Sequence, residues 1–61
     1  MPHYFIICGI YKYGRITEYT LLADNYWEAL EECVNLDLSH AFNYAYVVDT
    51  YTGEVVAGTR P

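Results

Sequence analysis

The sequence predicts an α+β fold: a β-β-α-β-β chain whose four antiparallel strands form one sheet, order 2-1-3-4 favoured, with a single helix on one face. Three observations carry this. An uncharged apolar run, Tyr-Phe-Ile-Ile-Cys-Gly-Ile-Tyr, fills residues 4–11. The turn signal Lys12-Tyr13-Gly14-Arg15 joins it to a second run rich in threonine, tyrosine and leucine. One helix-start signal, Asn25-Tyr26-Trp27-Glu28, opens an apolar stripe at helical spacing.

Strand one is apolar on both sides. Alternate side chains of a strand point to opposite faces, so Tyr4, Ile6, Cys8 and Ile10 share one face and Phe5, Ile7 and Tyr11 the other. A strand this apolar belongs inside the sheet. Gly14 accepts the positive φ of a tight hairpin. If Tyr13-Gly14 is a two-residue turn, Ile10 faces Thr17, Cys8 faces Tyr19, Ile6 faces Leu21 and Tyr4 faces Ala23. Phe5, Ile7, Tyr11, Ile16 and Leu22 then share the other face with Glu18 and Thr20. Strand two is expected over residues 16–23, where β-branched and aromatic side chains favour the pleated state.

The helix is expected over residues 25–36. Asn25 accepts from a free backbone N–H and Glu28 reciprocates three residues on, the pattern of a capping box. Tyr26, Ala29, Leu30 and Cys33 follow the i, i+3, i+4, i+7 spacing of one buried stripe, with Glu28, Glu31, Glu32 and Asn35 on the other side. Residues 37–43, with His40 and Phe42, form a connection. Residues 44–49 read as a third strand, 50–53 as a turn and 54–57 as a fourth strand, leaving 58–61 as a frayed end. In strand three either Tyr44 and Tyr46 or Ala45 and Val47 face the helix, since both sets are apolar. Residues 1–61 make one small domain.

Sixty-one residues sit at the size where one core barely stabilises itself, and such chains lean on disulfides, metals or self-association. The composition is 54% apolar with eight tyrosines, which argues against disorder. Eight acidic residues stand against Lys12, Arg15 and Arg60, for a net charge of −5. That balance repels a phosphate backbone and suits a partner with a basic surface, so direct nucleic-acid binding is not expected. No segment has the roughly 18–20 apolar residues a membrane span needs. The apolar run lacks the basic flank and small-residue cleavage site of a signal peptide. Two cysteines make no disulfide framework, and a reducing, cytoplasmic location is expected.

Catalytic constellations are weak. His3, Cys8, Cys33 and His40 lack the close ligand pairs that structural zinc sites use, and no metal or other cofactor is expected. Cys8 and Cys33 should both face the core, where a thiol is a small apolar filler rather than a nucleophile in an electropositive setting. Ser39-His40 carries no implied oxyanion donors. Glu28 with Glu31 or Glu32 lies on a wet helix face, where nothing would shift a carboxylate toward neutrality. The glycines read as turn makers, with no phosphate-cradling loop. No enzyme activity is expected. Phe5, Tyr11, Tyr44, Tyr46 and Tyr51 could stack bases geometrically, but the lysines and arginines such a platform needs are missing.

Two surfaces remain as candidates. The acidic helix face comprises Asp24, Trp27, Glu28, Glu31 and Glu32, with Trp27 either an exposed anchor or a lid over the sheet edge. The second is the outer sheet face, with Phe5, Ile7, Tyr11, Ile16 and Leu22. One helix covers one face only, so the other is expected to need a cover the chain does not supply. A wet patch of this kind exceeds what monomers usually tolerate.

The stretch from Tyr4 to Cys33, strand–turn–strand and then Ala23-Asp24-Asn25-x-x-Glu28-Ala29-Leu30, looks like the start of many small αβ modules. The short, acidic, tyrosine-rich character is similar in type to small phage-encoded inhibitors of bacterial enzymes and defence systems, anti-CRISPR proteins among them. That resemblance implies a non-enzymatic inhibitor that binds a host protein, and it transfers no functional residues. The residues themselves leave two further readings: a structural homodimer or adaptor closed through the sheet faces, and a small-ligand binder with a tyrosine-lined pocket.

Overall fold

The computed structural model describes residues 3–60. Its elements run β1 (Tyr4–Lys12), β2 (Arg15–Ala23), α1 (Tyr26–Leu38), β3 (Tyr44–Asp49) and β4 (Val55–Thr59). The strands form one antiparallel sheet in the order β2-β1-β3-β4, the expected arrangement. The hairpin register is also the expected one: Ile10 opposes Thr17, Cys8 opposes Tyr19, Ile6 opposes Leu21 and Tyr4 opposes Ala23. It is set by a two-residue turn in which Tyr13 (φ 53°) and Gly14 (φ 75°) are both left-handed, the backbone that matches the twist of the flanking strands.

The helix starts at its expected cap, with the Asn25 half of the expected capping box formed and the reciprocal bond from the Asn25 N–H to the Glu28 carboxylate not formed. Asn25 is extended and its side-chain oxygen accepts the Glu28 N–H at 2.8 Å. α1 runs two residues beyond the expected end, to Leu38. Nothing in Asp37-Leu38 breaks a helix, and the stop comes at Ser39, whose hydroxyl donates to Leu36 O at 2.7 Å, followed by His40 at φ 56°. Ala29 and Cys33 are buried by the helix, with Leu36 packed beside them. Tyr26 and Leu30 are only half-buried.

The core lies between α1 and the two central strands. Ile6, Cys8, Ala45 and Val47 from the sheet meet Ala29 and Cys33 from the helix, and Ile6 and Val47 have no exposed surface. The open question in β3 is thereby answered: Ala45 and Val47, opposite Cys8 and Ile6, lie under the helix. These side chains are small enough for close helix–sheet packing, and Tyr44 and Tyr46 take the outer face.

Strand four differs from expectation at both ends. It begins at Val55 and continues through Gly58 and Thr59, residues read from sequence as frayed; Pro61 lies outside the described residues. A bulge between Val47 and Val48 brings Val55 opposite Val48, with Val56 as the extra residue. The turn before it is held by Asp49, whose carboxylate accepts the Tyr51 N–H at 2.8 Å and whose carbonyl accepts the Gly53 N–H at 2.8 Å. Asn43 lengthens the β1–β3 pairing by one step. Its N–H donates to Gly9 O at 2.9 Å and its side-chain oxygen accepts the Tyr11 N–H at 2.6 Å.

Candidate protein-interaction site

The outer sheet face is not left bare, which corrects the expectation that the chain supplies no cover there. Tyr44 and Tyr46 stack along β3 with ring centroids 6.0 Å apart, and both are buried. Gly9 makes this possible. It stands opposite Glu18 on one side and Tyr44 on the other, and a Cβ there would occupy the space of the Tyr44 ring. The ring crosses β1 over this gap, and its hydroxyl donates to Glu18 Oε2 at 2.5 Å. Gly9 is therefore a strand glycine with a packing role rather than a turn maker, the use a glycine inside a strand pattern signals. The hydrogen bond to Glu18, with burial and the nearby carboxylate charge adding to it, pushes the Tyr44 hydroxyl up from 10.0 to about 12. Arg60 lies 5.7 Å from the centre of the Tyr46 ring.

This clasp divides the expected sheet patch. Phe5 pairs with Leu22 and Ile7 with Thr20 on one side of it, and Tyr11 pairs with Ile16 on the other. Phe5 and Ile7 are half-buried. Tyr11, Ile16 and Leu22 remain exposed, at 61%, 46% and 60%. What stays open is thus concentrated on β2 and the hairpin end.

The helix face is the more continuous surface. Asp24, Trp27, Glu28, Glu31 and Glu32 are all exposed. Trp27 is 75% exposed, which removes its reading as a lid, and its ring meets that of Tyr26 edge-on with centroids 5.7 Å apart. Val34 and Leu38 are exposed as well. At 3.6 residues per turn, Trp27, Val34 and Leu38 fall within about 40° of one another around the helix. They form an apolar strip that the sequence reading missed, because Tyr26, Ala29, Leu30 and Cys33 already accounted for one stripe. Its signal was the spacing 27, 34, 38, seven residues and then four. Glu31, Asn35, Glu28 and Glu32 follow round one flank of the strip. On the other flank a cleft of about 150 Å³ opens between Leu30, Cys33 and Val34 of the helix and Ala45, Gly58 and Thr59 of the sheet.

The cleft is smaller than the several hundred Å³ of ordinary small-molecule sites, the shallower groove along Trp27, Leu30 and Val34 holds about 380 Å³, and neither is lined by tyrosine. Burial pushes the Cys8 thiol up, opposed in part by its contact with Tyr19 O at 3.7 Å. Burial, then the charge of Asp37, does the same to Cys33. Raised thiols hold their protons, the reverse of an activated nucleophile. Among the described residues no three His, Cys, Asp or Glu side chains gather as a metal site: His3 leans on Tyr51 at 5.1 Å, and His40 ends the helix. Among the described residues no helix is long and apolar enough to cross a membrane. Tyr44 and Tyr46, buried on β3, offer no open platform for bases. No protein-family model, curated protein or solved structure matches the chain.

Proposed function

We propose that this protein is a non-enzymatic protein-binding module, an inhibitor or adaptor of the small phage or mobile-element type, acting in the cytoplasm on a host protein. The observation that carries the reading is Trp27, exposed at the head of an apolar strip with Val34 and Leu38 and flanked by Glu28, Glu31 and Glu32. Interface hot spots favour tryptophan at an apolar centre, and complementary charge around it speeds encounter and selects the partner. The matching target surface is an apolar groove rimmed with lysine and arginine. Asp24, beside the helix N-terminus, extends the acidic rim.

Affinity capture from host lysate, followed by binding kinetics on the recovered protein, tests this. Glu28→Lys with Glu32→Lys should abolish capture, and Trp27→Ala should weaken it about 30-fold or more, each with unchanged circular dichroism. Unaltered binding by both variants removes the helix face from consideration. A second reading, a structural homodimer through the outer sheet faces, is favoured by the exposure of Tyr11, Ile16 and Leu22.

A further inference from the structure

The two edges of the sheet are built differently. β4 is five residues long, contains a bulge at Val56 and carries Gly58 at φ 83°, features that turn an edge away from further pairing. β2 has nine residues, pairs on one side only, contains neither proline nor glycine, and is exposed at every residue before Ala23. The two-residue turn fixes which of its backbone groups face outward. Lys12 and Arg15 close the turn as a hydrogen-bonded pair, and such pairs alternate along an antiparallel ladder. Arg15, Thr17, Tyr19 and Leu21 therefore bond to β1. Ile16, Glu18, Thr20 and Leu22 aim their N–H and C=O groups at the open edge.

We infer that this edge is a self-recognition site: β2 pairs antiparallel with β2 of a second copy about a two-fold axis at Tyr19, giving an eight-stranded sheet with both helices on one side. The register follows from the sequence. Centred on Tyr19, Ile16 opposes Leu22 and Glu18 opposes Thr20, so all four outward residues of each strand are used, for about eight new backbone hydrogen bonds. Centring on Glu18 sets two carboxylates face to face, which is unfavourable. Centring on Thr20 sets Glu18 against Leu22 and leaves Ile16 opposite no strand residue.

Charge selects the same arrangement. The turn end of the β1–β2 hairpin carries Lys12 and Arg15, two of the three Lys and Arg residues in the chain, and the other end of β2 runs directly into Asp24 and then Glu28. Antiparallel pairing brings Arg15 opposite the second copy's Ala23, beside its Asp24, and does so twice. Ile16, Tyr19, Leu21 and Leu22, each at least 39% exposed, gain cover on both faces of the joined sheet.

The intact chain tests this by sedimentation velocity at about 50 µM, far above a micromolar Kd. The expected mass is twice 7.1 kDa. Thr20→Pro removes an outward N–H that bonds nothing within the chain and should yield a folded monomer. Arg15→Glu should weaken the dimer about tenfold or more, and Arg15→Glu with Asp24→Arg should restore it. Tyr19→Cys should cross-link to itself on mild oxidation, because the axis brings the two Cα atoms to about 4.5 Å, whereas Leu21→Cys should not. The cross-link reads the register even where the proline variant fails to fold. A monomer throughout overturns the inference. So does a dimer in which Tyr19→Cys stays uncross-linked, an outcome that places the contact elsewhere, as on the outer sheet face. No target protein enters these measurements, so their failure leaves the helix-face reading standing.

Discussion

β1 is covered on both faces, and by opposite means. Below it, an entire helix presses Ala29 and Cys33 onto Ile6 and Cys8, leaving Ile6 at 0% exposure and Cys8 at 1%. Above it, two stacked tyrosines from the neighbouring strand lean across, one through the gap at Gly9 to reach Glu18. The helix face is closed by apolar packing of small side chains. The tyrosine face is closed by aromatic area plus one directional hydrogen bond, and it leaves Phe5 and Ile7 half-buried. A small chain with a single helix thus covers its second face from within the sheet, only as far as two aromatic rings extend.

The helix side carries the larger share of the stability. Ile6→Ala should cost about 2–5 kcal/mol, against a total of about 3–9 kcal/mol for a chain of this length. Urea denaturation should show about half of that stability lost. On the tyrosine side, Gly9→Ala forces the Tyr44 ring off the strand and should cost about 1–3 kcal/mol. Because the clash is with Tyr44, that cost should shrink sharply in a Tyr44→Ala background, a double-mutant cycle with large coupling. Additive losses would show that the ring does not rest on Gly9.

Tyr44→Phe should destabilise less than Gly9→Ala, since it removes the hydrogen bond to Glu18 and leaves the ring in place. It also carries a pH signature. The hydroxyl ionises near 10.0 in the unfolded chain and near 12 in the folded one. Its proton-linked contribution is therefore complete below about pH 10 and is lost as the pH rises toward about 12. Stability of the parent should fall more steeply than that of Tyr44→Phe across this window. Cys8 and Cys33, also raised by burial, titrate in both proteins and cancel in the difference. Parallel curves would mean that Tyr44 does not donate to Glu18. The smallest effect belongs to neither face of β1: Trp27→Ala, on the far side of the helix, should change stability by no more than about 0.5 kcal/mol, measured by the same denaturation.

The hairpin register and the helix start were legible in the sequence because each depends on residues within one turn or one strand of each other, and the sheet order was legible because β1, apolar on both faces, belongs inside the sheet. Gly14 and the alternation of residues 4–11 suffice for the hairpin; Asn25 suffices for the helix cap. The face of β3 was not legible, since Tyr44-Ala45-Tyr46-Val47 is apolar in both phases. It is decided by a residue on another strand: only Gly9 leaves room for Tyr44 on the outer side. The end of β4 was misjudged because Gly58 looks like a breaker, yet its positive φ continues the strand past a bulge. Of the candidate site, the acids and Trp27 were found by type and position. Val34 and Leu38 were missed because a pattern search stops once one apolar stripe is satisfied, and a helix that both packs and recognises carries two.

The asymmetry between the sheet's two borders limits how large any edge-to-edge assembly grows. A sheet open at both sides is a bifunctional monomer, and each addition exposes a fresh end, so it propagates into a fibre. Here the bulge and Gly58 leave one reactive side per molecule, and a monofunctional unit terminates its own chain at two.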